Sequence, residues 1–560
     1  MTEVVTKPVG YDELKARKSS GAHYTPSDLA DFVAKHILEN LELTISPQTT
    51  VLDPAVGDGE LLAAIARIAP RIAKFSGYDI DTAAVDEAKA LLSNSFVGLD
   101  LAIDNKNFLE DIDMDVQGNL FIAGQGINPV DIVIANPPYI RTQVLGSAQS
   151  KSLAKKYGLT GRVDIYHAFI AKIAEVLMPG GIAGIIVSNR FMYTQGGKSI
   201  RELILREFDI LHIWDFGDTK LFEAAVLPAV LILKKKTTKV EQAATKFTSI
   251  YTDVSGYENI PESKDVYSAL EGDGVVSVKG SQFVVSTGIL HIDNGQPWRI
   301  SEQNRDEWLA KVEENTDCYF EDITKVKVGV KTTADKVFIK ADWSEDAPEL
   351  LLPLTTHHIA QRFKAPSPTR QILYPYDLSS DTKRPVDIED FSNTKKYLEK
   401  HRVQLEGRSY VIESGKPWYA IWVPHAPSKW KHPKIVFRDI SEKPTFWVDF
   451  EGTIVNGDCY WMSLAGDNEK YIWLILAVAN SSFIEKYYDY KFNNKLYSGR
   501  RRFISQYVNR FPLPDLNSKQ AEKLSSLTEK LYRNYDTNSN VNEALEYEID
   551  NLVWQVFDVS

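Results

Sequence analysis

The sequence predicts an α/β fold, with a seven-stranded, mostly parallel sheet in residues 1–240, followed by an α+β domain over 241–560. Three observations carry this prediction. Between about Thr49 and Lys236, short β-branched runs alternate with longer stretches whose apolar residues recur at helical spacing, the pattern of βαβ units. Beyond about residue 240 the alternation fades through the polar segment KKKTTKVEQAATKFTSIYTDVSGYENIPESKD, and the rest of the chain is richer in Trp, Tyr and Pro. The 560 residues also exceed what one core sustains, since hydrophobic cores rarely grow past roughly 250–300 residues.

In chain order the predicted strands are VLD (51–53), FSGYDI (75–80), LDLAI (99–103), DIVIA (131–135), IAGIIVS (182–188), ILHIWDF (210–216) and VLPAVLILK (226–234). Between them ELLAAIARIA, DIYHAFIAKIAEVL and SIRELILREF carry the apolar stripe of helices that cover a sheet. In the second half ILYPYDL, KIVFRDI and TFWVDF read as short strands, and helical patterns come after Asp515.

Composition excludes several function classes. The amino terminus lacks an apolar signal core and the longest apolar runs, IAGIIV and WLILAVA, are too short to cross a bilayer, so a cytoplasmic protein without a membrane partner is expected. Cys318 and Cys459 are the only cysteines, which leaves no disulfide framework and no cysteine-rich metal site; no bound metal is expected. Neither cysteine comes after a proline in a catalytic-looking loop, which argues against chemistry through a cysteine nucleophile. With 64 basic and 76 acidic residues the net charge is −12, so binding to nucleic acid requires a local basic surface. The stretch KFNNKLYSGRRRFISQYVNRF (491–511) holds Arg500, Arg501 and Arg502 and no acid. A second stretch interleaves Lys429, Lys431, Lys434 and Arg438 with Trp418, Trp422 and Trp430; it suits phosphate contact and reads equally as a strand pair with a solvated basic edge.

The first strand runs through Asp53, Pro54 and Ala55 into Gly57 and Gly59 and then a helix, a turn that lets backbone approach a ligand and presents free amides. The same turn also serves as a tight strand-to-helix connection. Asp79 ends the second strand where a carboxylate reaches a ribose, or stands there as a solvated strand end. Asn107 and Phe108, after the third strand, suit an adenine ring. The fourth strand delivers Asn136, Pro137, Pro138 and Tyr139 to the carboxyl edge of the sheet, where ligands bind in open α/β folds. A planar amino nitrogen is a poor nucleophile because its lone pair is delocalised. The Asn136 side-chain carbonyl and the Pro137 backbone carbonyl are two acceptors that localise the pair, held stiff by the prolines. Tyr139 offers a face on which an extruded base stacks. Phe222 reads as a cover for the opposite face or as a core phenylalanine.

Taken in order, GAHYTPSDLADFV, DPAVGDG, YDID, NPPY and LFEAAVLPAV resemble the adenine-specific DNA methyltransferases of restriction–modification systems, in the gamma arrangement of the TaqI methyltransferase family. The resemblance implies a Rossmann-like methyltransferase domain followed by an α+β target-recognition domain, S-adenosyl-L-methionine as cofactor, and N6 of a flipped-out adenine in double-stranded DNA as the target. It implies that Tyr24, Thr25 and Pro26 line the cofactor pocket with the glycine turn, Asp79, Asn107, Phe108 and Asn136. It also implies that Arg500, Arg501 and Arg502 lead the DNA contacts and that a restriction endonuclease shares the site. Asp79 stands where the family often has glutamate, and Asn107 where it often has an acid. Methyltransferases acting on protein glutamine amides or on RNA adenine use the same tetrapeptide but leave the C-terminal half unexplained; cytosine amino methylation shares the chemistry.

Overall fold

A computed structural model of the chain describes residues 25–110, 129–139, 147–161, 163–222, 227–237, 244–253, 256–292, 297–301, 303–343, 346–492, 496, 500–535 and 539–559. The chain divides into two compact units, the first running to Glu302 and the second beginning at Gln303.

All seven predicted strands form: β1 Thr50–Asp53, β2 Lys74–Asp79, β3 Asp100–Asn105, β4 Val130–Ala135, β5 Leu177–Ser188, β6 Phe208–Asp215 and β7 Pro228–Lys235. Their order is β3-β2-β1-β4-β5-β7-β6. The pairings from β3 through β5 are parallel, and β7 runs antiparallel between β5 and β6. Order reverses between β1 and β4, which opens a crevice beyond their carboxyl ends. Alternate residues of the central strands feed two cores: Leu52, Val133 and Ile185 pack on one face, Val51, Ile132 and Ile186 on the other. Burial on both faces is why these strands read as unbroken apolar runs. The helix Ser27–Glu39 lies so close to β5 that a Cβ on Gly184 would meet Ile37 at 2.6 Å, which fixes the N-terminal segment over the sheet.

The domain boundary expected at 240 moves. The polar segment read as a junction contains β8 (Lys246–Thr252), which pairs with β6 in parallel, Trp214 opposite Thr248. β9 (Glu262–Ser263), β10 (Gly274–Val278), β11 (Ser281–His291) and β12 (Arg299–Ser301) continue the sheet to twelve strands among the described residues. A parallel pairing between strands so far apart in sequence leaves no local period to read.

The second unit is α+β, as expected. One sheet aligns Lys327–Val328, Cys459–Ser463, Lys434–Arg438, Phe446–Asp449 and Phe363–Lys364. A second joins Ile339–Lys340, Arg370–Leu373, Leu351–Thr355 and Ile454–Val455. The apolar run WLILAVA lies in a buried helix, Ile472–Ala479, and the helices Lys519–Asn534 and Ser539–Val556 close the chain. No described helix is long and apolar enough to cross a membrane.

Candidate active site

The crevice is built from strand ends. Asp53 ends β1 fully buried; its Oδ1 accepts the Ala55 amide at 3.0 Å, while Oδ2 has no hydrogen-bond partner. Burial without a countercharge pushes its carboxyl up to about 8. Gly57 and Gly59 turn the chain at φ 51° and 89°, and a Cβ on Gly59 would meet the Ala88 backbone at 2.9 Å, so the turn admits no larger residue there. Asp79 at the end of β2 accepts the Gly57 amide at 3.0 Å and the Asp81 amide at 2.9 Å. It therefore holds the glycine turn as well as lying in reach of a ligand seated on it.

Asn107 is partly exposed and its Oδ1 accepts the Leu109 amide at 3.1 Å. Phe108 exposes 1% of its surface and stacks on Phe169 at 5.7 Å. Tyr24 lies outside the described residues.

Beyond β4, Pro137 is buried and Asn136 and Tyr139 are part-buried. Asn136 Nδ2 donates to the Thr25 hydroxyl at 3.1 Å, and the Tyr139 hydroxyl donates to Asn136 Oδ1 at 2.8 Å. Thr25, expected to line the cofactor pocket, thus fixes the amide of Asn136 so that its carbonyl oxygen faces a donor. Pro26 is exposed and begins the helix Ser27–Glu39. Burial pushes the Tyr139 phenol well above its ordinary range, so it stays a donor at any physiological pH. Phe222 is buried in the core on the side of Val56 and Trp214, which favours its packing role.

Residues 64–222 match the Eco57I restriction-modification methylase family, and residues 386–513 match the TaqI-like C-terminal specificity domain. The type II methyltransferase M.BanIII of Aneurinibacillus aneurinilyticus is 37% identical, with 97% of this chain and 98% of that protein covered. The chain belongs to the type II methyltransferases of restriction–modification systems. M.BstVI of Geobacillus stearothermophilus is similar at 23% identity over 95% of this chain and 94% of that protein. Among solved structures, DrdV in complex with DNA shares the fold at TM-score 0.56 and 11% identity, covering 94% of this chain and 58% of that one. The type ISP enzyme LlaBIII bound to DNA matches at TM-score 0.53 and 12% identity, covering 92% and 39%.

As a type II methyltransferase the protein uses S-adenosylmethionine. The crevice fits that donor: Asp53 supplies a buried carboxyl oxygen left open, Asp79 a carboxylate at the strand end, and the glycine turn backbone without side chains.

The methyltransferase has two features at this edge that its sequence does not announce. Tyr166, on the helix Ile165–Val176, meets Tyr139 edge to face at 6.5 Å. At the ends of β5 and β6, buried Asp215 accepts from Asn189 Nδ2 (2.9 Å), Tyr193 (2.5 Å), Tyr251 (2.7 Å) and the Gly217 amide (3.1 Å). This cluster anchors the start of the loop that carries Phe222. Tyr251 comes from β8, so nothing near Asp215 in sequence marks it.

The residues expected at DNA divide in the second unit. Lys429 and Lys431 are exposed on the short turn of helix Pro427–Lys431, and Arg438 is partly exposed. Lys434 is 0% exposed, with Nζ on Asp449 at 2.9 Å and the Trp430 carbonyl at 2.8 Å, so it cannot reach a phosphate. Of the three arginines Arg500 is exposed. Arg501 forks onto Asp489 through two bonds of 2.8 Å and reaches Glu485 at 3.0 Å; Arg502 bonds Asp439 at 3.1 and 3.2 Å. The stretch without acids meets its acids in space, where Arg501 and Arg502 are ion-paired.

Proposed function

We propose that this enzyme methylates N6 of an adenine extruded from duplex DNA, as the modification half of a type II system in which an endonuclease shares the site. The observation that carries the reading is the Asn136 amide, oriented at the carboxyl end of β4 by Thr25 with its carbonyl oxygen on a donor.

S-adenosylmethionine supplies an electrophilic methyl group, and the residues of the chain prepare the nucleophile. Asn136 Oδ1 accepts one proton of the amino group and the Pro137 carbonyl the other, which draws the nitrogen lone pair out of conjugation and toward the methyl group. The Tyr139 hydroxyl already donates to that oxygen, standing where the substrate N–H would donate. A base entering the pocket displaces the hydroxyl, and the Tyr139 ring, braced edge-on by Tyr166, stacks on it. The base keeps its proton until the C–N bond forms; the product ammonium then loses it to solvent or to these acceptors, so no strong base is needed.

The first unit carries the chemistry and the second reads the target. The test is mass spectrometry of nucleosides from DNA incubated with the enzyme and deuterated S-adenosylmethionine. Labelled N6-methyladenine is expected. Labelled N4-methylcytosine would assign the same chemistry to the other amino base, and label in protein or RNA alone would overturn the reading.

A further inference from the structure

Several cations of the second unit are matched with acids: Lys434 with Asp449, Lys491 with Glu313, Arg501 with Asp489, Arg502 with Asp439. One group differs. Lys327 lies on the strand Lys327–Val328, opposite Trp461 in the neighbouring strand, with its ammonium over that ring at 5.2 Å. Lys429 is carried by the helical turn Pro427–Lys431, whose Ser428 binds the 380–383 loop: its amide donates to the Ser380 carbonyl at 3.1 Å and its hydroxyl to Asp381. That pairing brings exposed Lys383 to the same place. Lys416 donates to the Trp422 carbonyl at 2.7 Å and lies over the Trp422 ring at 4.6 Å.

Trp430, next to Lys429, packs on Trp461 at 4.5 Å and so brings Lys429 to the ring that carries Lys327; burial first, and then the Lys429 ammonium, hold the Lys327 amine below its ordinary range, with Lys383 and Lys325 adding to the repulsion. Burial lowers Lys416 and His425, and the Lys383 charge adds to it at both; His425 packs on Trp461 at 5.6 Å. Of the nearby carboxylates, Asp381 accepts from Ser428 and Asp377 faces Lys431. Among the described residues none of Lys325, Lys327, Lys383, Lys416 and Lys429 forms an ion pair, whereas Arg501 and Arg502 do. A set of like charges held close together in this way is well matched by an anion that presents several oxygens along a line, as a phosphate backbone does.

We infer that Lys327, Lys383 and Lys429, flanked by Lys416, form a contact surface for the phosphate backbone of duplex DNA. The inference rests on the DNA reading above. It moves the backbone contact from the arginine stretch to residues dispersed over the chain, of which Lys327 and Lys383 precede the span matching the TaqI-like specificity domain. Trp461 and Trp422 act as rigid seats that keep the ammonium groups from retreating into solvent.

The test is fluorescence anisotropy of the full-length enzyme with a labelled, mixed-sequence duplex across a salt series. Removing one phosphate contact lowers the slope of log affinity against log salt by about 0.9, so K327Q/K383Q/K429Q is expected to flatten it by about 2.7. The corresponding Lys→Arg triple variant is expected to restore it. K395Q/K396Q, which removes two lysines already paired with Glu389 and Asp346, is expected to leave the slope unchanged. Lys383 and Lys429 are exposed, so K383Q/K429Q gives a smaller flattening of about 1.8 even where a Lys327 variant folds poorly. A wild-type slope in the Gln variants, or an equal flattening in the K395Q/K396Q control, overturns the inference while methylation by the wild type leaves the functional reading standing. A wild type that neither binds duplex nor methylates it overturns both.

Discussion

Replacing Asn136 with Ala isolates the chemical step from cofactor binding. The side chain bonds to Thr25 at 3.1 Å and to Tyr139 at 2.8 Å, whereas the glycine turn is held by Asp79. Loss of one preorganised partner of a reacting group costs about 10²–10³ in turnover, or roughly 2.7–4 kcal/mol. The Pro137 carbonyl remains as the second acceptor, so a residual rate is expected. Stability falls as well, because the buried Thr25 hydroxyl and the Tyr139 hydroxyl each lose this bond; about 1–3 kcal/mol for each lost bond sets the upper range. Single-turnover transfer of tritiated methyl measures the first effect, thermal melting the second, and calorimetry with S-adenosylmethionine is expected to find nearly unchanged affinity. Wild-type turnover at saturation with weakened cofactor binding would refute the reasoning and put Asn136 in the cofactor site.

Asp79→Ala is expected to do the reverse, weakening the cofactor by roughly 10–100-fold because it removes a carboxylate and frees the Gly57 and Asp81 amides, charged hydrogen bonds being worth about 1.5–3 kcal/mol; calorimetry that finds unchanged affinity removes it from the ribose role. Asp53, pushed up to about 8 by burial, is protonated at neutral pH in the free enzyme, and a cationic sulfonium ligand favours its ionised form. Cofactor binding therefore releases a proton, and affinity rises with pH up to about 8, by at most about tenfold per unit; calorimetry in buffers of different ionisation enthalpy checks this, and Asp53→Asn is expected to abolish the buffer dependence. Lys434→Ala removes the countercharge of Asp449, which keeps its bonds from Glu451 and Thr453, and is expected to cost up to about 3–5 kcal/mol in unfolding experiments without changing the salt dependence of DNA binding. Arg501→Ala is expected to behave the same way with a smaller loss, since the bonds it makes to Asp489 are only partly buried; a flattened salt slope with unchanged stability would return it to the DNA surface.

The sequence by itself determined the seven strands, the glycine turn and the place of Asn136, because each depends on near neighbours. Period 2 against 3.6, a glycine where φ is positive, and prolines stiffening a strand end are local properties. The tertiary structure alone decided what crosses the chain. β8 joins β6 and carries Tyr251 to Asp215, which moves the boundary from 240 to Glu302. Thr25 orients Asn136 from 111 residues away. Phe108, placed after β3 by the sequence, meets Phe169, 61 residues further along the chain. Charge shows the division most clearly. Three consecutive arginines read as the basic surface, yet Asp489 and Asp439 neutralise two of them, while lysines at 327, 383 and 429 come together and, among the described residues, form no ion pair. Whether a charge is free depends on which groups lie within a few ångströms of it, and that is set by the packing of distant segments against one another.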